Sequence, residues 1–166
     1  DGPPAAERPE DERPEDERPF RLEREPFLGF ELAVMTDRPV YAVGETVRIT
    51  VTATNAGTRW AVHHYPGWQR YVLSVRDELS REVATDAVRR PAPDTAFQDR
   101  WLPGQMLILA TYWGQQEGAI VPAWSDDPPG PRLAPGRYRI RCTWRGREPG
   151  SYAELADAWT PWFEIV

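Results

Sequence analysis

Beyond residue 29, apolar side chains fall at every second position over most of the chain, the spacing of strands with one buried and one solvated face. Val47, Ile49, Val51 and Ala53 alternate with Arg48, Thr50, Thr52 and Thr54. Tyr71, Leu73 and Val75 repeat the pattern. So do Tyr138, Ile140, Cys142 and Trp144, set against Arg137, Arg139, Arg141 and Thr143. Turns rich in glycine and proline separate these runs at Ala42-Val43-Gly44-Glu45, Asn55-Ala56-Gly57, Pro66-Gly67, Pro103-Gly104 and Pro135-Gly136. The pattern predicts strands over residues 30–36, 46–54, 59–65, 70–76, 82–86, 105–113, 137–145 and 159–165. One short helix is expected, at Tyr152–Ala158.

Seven to eight strands with no helices to carry crossovers between parallel neighbours define an all-β chain. The expected fold is an immunoglobulin-like antiparallel β-sandwich. Tyr138, just after Pro135-Gly136, stands where a buried tyrosine can bond back to upstream backbone as a tyrosine corner. The single cysteine excludes an intrachain disulfide and a cysteine-based zinc site. Between Ile140 and Trp144 on the apolar face, Cys142 reads as a small buried hydrophobe. Core bulk must come from aromatic rings instead, among them 8 tryptophans.

The first residues break the pattern. Glu7-Arg8-Pro9-Glu10-Asp11 is followed by Glu12-Arg13-Pro14-Glu15-Asp16 and Glu17-Arg18-Pro19, and no side chain before Phe20 is more apolar than alanine. Such a segment cannot offset its ordering entropy. Residues 1–26 are expected to form a disordered, stiff Glu/Arg/Pro-rich spacer, and residues 27–166 the sandwich domain. The competing reading is an acidic docking arm for a basic partner.

Charge follows the same division. The chain carries a net charge of -6, and residues 1–26 hold 10 acidic against 5 basic side chains, so the domain is nearly neutral. A nearly neutral domain lacks the basic excess of a nucleic-acid binder. No apolar run approaches the roughly 20 residues of a membrane-spanning helix, and no cleavable signal segment stands at Asp1. The spacer favours a secreted or envelope-anchored domain, with the cytoplasm as the alternative. A monomer is expected.

Candidate chemistry is sparse. His63 and His64 are the only histidines, and adjacent strand residues point to opposite faces, so the two cannot chelate one metal. The few serines stand in no Gly-x-Ser-x-Gly elbow. Asp126-Asp127 and Asp94 with Asp99 follow no calcium-loop pattern. The reading is a non-enzymatic chain with no cofactor and no metal. Arg137, Arg139 and Arg141 line the wet face of one strand, more simply as a solvated row paired across the sheet than as a site for an acidic partner. Turn-borne aromatics are more suggestive: Tyr65 and Trp68 flank Pro66-Gly67, and Trp124 stands in a proline-rich stretch. Exposed tryptophan is an anchor type at protein interfaces, with core packing as the competing role.

Several motifs share an order. Tyr41-Ala42-Val43-Gly44-Glu45 leads into Val47–Asn55, followed by Gly67-Trp68-Gln69-Arg70-Tyr71, Thr95-Ala96-Phe97, Leu102-Pro103-Gly104-Gln105, Trp113 and Ala134-Pro135-Gly136-Arg137-Tyr138. In that order, over roughly residues 30–145, the chain resembles the Bacillus-type intracellular proteinase inhibitor (BsuPI) domain. The resemblance implies an immunoglobulin-like sandwich that binds a serine protease through its loops. For that role, Arg89-Arg90-Pro91-Ala92-Pro93 has the required character: two arginines for an acidic specificity pocket, and prolines that hold the segment extended and resist cleavage. Its plainer reading is a connector between strands. The alternative function is a structural or adhesion-type domain of the cell envelope with no inhibitory activity.

Overall fold

The computed structural model describes residues 29–87, 96–120, 130–150 and 156–166. Twelve strands run through them: β1 (Phe30–Thr36), β2 (Val40–Tyr41), β3 (Val47–Asn55), β4 (Ala61–Tyr65), β5 (Tyr71–Asp77), β6 (Glu82–Thr85), β7 (Phe97–Trp101), β8 (Met106–Trp113), β9 (Gly118–Ala119), β10 (Gly136–Trp144), β11 (Ala156–Trp159) and β12 (Phe163–Ile165). The chain is an all-β, immunoglobulin-like β-sandwich. One layer is the sheet β1-β3-β8; the other runs β2-β12-β10-β5-β6-β9, with β11 also paired to β10. A short β4-β7 ribbon extends one end.

The alternation predicts the long strands because each needs one face in the core. In β3 every second residue is buried, from Val47 to Asn55, and in β10 Tyr138, Ile140, Cys142 and Trp144 are buried. The layers meet through Val34, Val47, Ile49 and Val51 on one side and Leu73, Val75, Ile140 and Cys142 on the other. Fully burying one such aliphatic side chain stabilises by about 1.5–3 kcal/mol. A second cluster of Ala53, Ala61, Tyr65, Trp101 and Trp144 fills the end beneath the ribbon. Aromatic rings thus supply bulk there, and the lone Cys142 is a buried free thiol.

Tyr138 forms the expected corner, its hydroxyl donating to the Ala134 carbonyl at 2.8 Å. Two buried side-chain amides tie segments that lie far apart in the sequence. Asn55 Nδ2 donates to the carbonyls of Arg59 and Trp101 at 2.9 and 3.1 Å. Gln115, itself at φ 57°, donates to the Ala42 carbonyl and accepts from the Gly44 amide at 2.7 Å.

Four expectations need correction. The strands number twelve among the described residues rather than seven to eight, because β7, β11 and the two-residue strands β2 and β9 carry too few residues or too mixed a composition to show a period. The sheet is not wholly antiparallel: β2 pairs with β12, and β9 with β6, in parallel. Residues 156–158, expected to be helical, lie in β11, whose pairing with β10 overrides local helix propensity. The single strand expected at 159–165 is two, since Pro161 interrupts the ladder between β11 and β12. The spacer at 1–26 and the first residues of the expected helix lie outside the described residues.

Candidate functional site

The end of the sandwich carrying the β4–β5 turn has concave surface among the described residues. β4 alternates buried and outward residues, so Ala61, His63 and Tyr65 turn inward while His64 faces solvent. β7 pairs with it in register, setting Phe97 opposite Tyr65 and Asp99 opposite His63. The Tyr65 and Phe97 rings stack at 4.5 Å with 13° between planes. Above them the Arg70 guanidinium lies 5.1 Å from the Phe97 centroid, and its Nε donates to Asp99 Oδ2 at 2.8 Å. This stack backs the Pro66-Gly67 turn.

Two concavities flank that turn. A groove of about 590 Å³ is lined by His64, Tyr65, Pro66, Phe97, Arg147 and Glu148, among others. A smaller one of about 70 Å³ lies across Pro66, lined by Trp68, Gln69, Val72, Ala87 and Arg145. The segment after β10 forms one wall of the groove, because His64 and Arg147 exchange backbone hydrogen bonds at 2.8 and 2.9 Å. Gln69 Nε2 donates to the Asp86 carbonyl at 2.8 Å and ties the turn to the end of β6. Trp68 stands at the apex, 58% exposed.

The histidines have separate fates. His63 is fully buried among Phe30, Trp101, Trp144 and Tyr65, stacked on the Trp101 ring at 5.6 Å. Its Nδ1 accepts from Trp144 Nε1 at 3.4 Å. Burial pushes its pKa from 6.5 down to about 4, although the nearby Asp99 opposes that slightly. An imidazole so enclosed is structural. Burial likewise pushes the Tyr65 hydroxyl up to about 12. The carboxyl of Asp86, which accepts from the Leu73 amide at 2.6 Å, is raised by burial to about 6.

Of the five sequence-derived contact residues, the structure brings Tyr65 and Trp68 to one turn. Tyr65 is 2% exposed, so it forms the groove's inner wall and is not a free anchor. Arg89, Arg90 and Trp124 lie outside the described residues. Sequence reasoning missed Arg70, Phe97 and Asp99 as the support of the turn. Phe97 and Trp101 on one face of β7 were the available signal, and the charged Asp99 between them broke the apolar period. It also missed the indole rings against the arginine row. Arg139 lies 4.2 and 4.7 Å from the Trp159 and Trp162 rings, Arg141 pairs with Asp157, and Arg137 stands 3.8 Å from Glu164. The row is thus paired with carboxylates across the sheet, as expected, and indole rings lie against it as well.

No protein-family model matches the chain, and no curated protein matches it. Among solved structures it is similar to a β-glucosidase from Erythrobacter marinus, at TM-score 0.43 and 16% identity, over 83% of this chain and 15% of that one. It is also similar to the CARDB domain of a Pyrococcus furiosus protein, solved with two metal ions, at TM-score 0.39 and 15% identity, over 82% and 92%. The sporulation control protein Spo0M from Bacillus subtilis matches at TM-score 0.40 and 14% identity, over 82% and 48%. The chain thus spans under two thirds of the glucosidase and of Spo0M. These likenesses carry no argument about activity.

Proposed function

We propose that this chain is a non-catalytic protein-binding module that presents the Pro66-Gly67-Trp68 turn to its partner. The observation that carries the reading is Trp68, more than half exposed on a turn with a concavity on each flank. A large aromatic ring on a pre-formed support is the residue type that anchors interfaces, because little ordering is left to do on binding. The Tyr65–Phe97–Arg70–Asp99 stack supplies that support. Resemblance to the BsuPI domain adds a partner class, a serine protease, for which Arg89 and Arg90 are the matching specificity residues.

Inhibition assays of the full chain against subtilisin-like and trypsin-like proteases test the reading. Trp68→Ala should weaken inhibition at least about tenfold while changing stability by less than about 0.5 kcal/mol, as for other exposed positions. Full inhibition by that variant would remove the turn from the interface. No inhibition of any protease by the parent would favour the second reading, a structural or adhesion domain of the envelope. The charged proline repeat ahead of the domain supports that alternative.

A further inference from the structure

The outer face of β10 carries Arg137, Arg139 and Arg141, each about 6.8 Å from the next along the strand. On one side, β5 sets Arg76 directly opposite Arg139. On the other side the ladder is broken. β12 reaches Tyr138 and β11 reaches Arg141, so Arg139 falls at the gap that Pro161 opens between them. The residues bordering the gap bring two indoles against it: the Trp159 and Trp162 ring centroids lie 4.2 and 4.7 Å from its guanidinium carbon.

Three of these four arginines are matched. Arg76 stands 3.6 Å from Glu82, Arg137 stands 3.6 and 3.8 Å from Glu78 and Glu164, and Arg141 pairs with Asp157. Arg139 has no carboxylate partner among the described residues. Its Nε–H and that of Arg76 are both buried and have no acceptor there. Like charges directly opposite one another on neighbouring strands repel, and enclosed donors without acceptors are costly.

A guanidinium lying over indole faces keeps its N–H edge for an oxyanion, the geometry that arginine matches best. Arg139 is half-buried, and Nε is the atom of its guanidinium that is enclosed. Two facing guanidiniums favour a group that carries close to two charges, which selects phosphate over a single carboxylate.

We propose that Arg139, with Arg76 opposite it, forms a binding site for a phosphate group, either the free ion or a phosphomonoester. Arg139 makes the direct hydrogen bonds. Arg76, whose Nη1 donates to the Ser80 carbonyl at 2.8 Å, is held in place and adds its charge. Trp159 and Trp162 fix the Arg139 guanidinium in advance, so little side-chain freedom is lost on binding. Carboxylates around the face, Glu82 among them, keep the affinity in the millimolar range, and added salt weakens it. This site is independent of the turn at Trp68.

Titration of the full chain with inorganic phosphate at constant ionic strength, followed by NMR of side-chain N–H groups, should give saturable shifts at Trp159 and Trp162. Arg139→Gln should weaken binding at least about tenfold, whereas Arg48→Gln, on the other sheet, should leave it unchanged. Glu82→Gln, which releases Arg76 from its partner, should tighten binding about two- to threefold and gives a readout that holds even if Arg139→Gln misfolds. O-Phosphoserine used in place of phosphate separates the two sources: tighter binding marks a phosphomonoester site, and equal binding a site for the free ion. Shifts that do not saturate, equal shifts around Arg48, parent-like binding by Arg139→Gln, or binding that Glu82→Gln fails to tighten would each overturn the proposal.

Discussion

His63 makes the fold sensitive to mild acid. Its imidazole is fully buried against Trp101 and Phe30, and its Nδ1 accepts from Trp144 Nε1 at 3.4 Å. Protonation would set a second donor against that indole N–H and place a charge among aromatic rings. Because the folded-state pKa, about 4, lies below the ordinary 6.5, the associated stability is fully present above about pH 6.5 and is lost as pH falls through about 4. At 1.36 kcal/mol per pH unit, the loss by about pH 4 amounts to about 3 kcal/mol. His63→Phe removes the titration and leaves the Trp144 N–H without its acceptor, so at neutral pH the variant should be about 1–3 kcal/mol less stable than the parent. Urea unfolding of both proteins across this pH range isolates the histidine, since the carboxylates titrate in each. The gap should close, or reverse, by about pH 4. Parallel stability curves for the two proteins would refute the assignment of His63 as buried and neutral.

Tyr138→Phe deletes the hydroxyl that donates to the Ala134 carbonyl at 2.8 Å and should cost about 1–2 kcal/mol in urea unfolding; an unchanged midpoint would show that the corner is dispensable. Cys142 is fully buried, and burial pushes its thiol up to about 12, so folded protein should resist a thiol reagent at neutral pH and label only as fast as it unfolds. Rapid labelling under native conditions would put the β10 register in error.

Local period and turn chemistry determined the long strands of this protein. β1, β3, β5, β8 and β10 fall within a residue or so of their expected bounds, because a strand packed on one face must alternate wherever the chain is met. The corner at Tyr138 and the burial of Cys142 follow from the same alternation. Short edge strands were decided by tertiary structure alone: β2 and β9 are two residues long and exist only where β12 and β6 offer a partner. The roles of Asn55 and Gln115 were hidden for the same reason. Each amide reaches a backbone carbonyl far away in the sequence, Trp101 for Asn55 and Ala42 for Gln115. The candidate site divides along this line too. A tryptophan on a Pro-Gly turn is legible in the chain itself, but the groove beside it needs Phe97 and Arg147 brought to Tyr65 and His64 across long sequence separations. Periodicity records which face of a strand is wet. Which strands become neighbours is set by long-range packing that no local window contains.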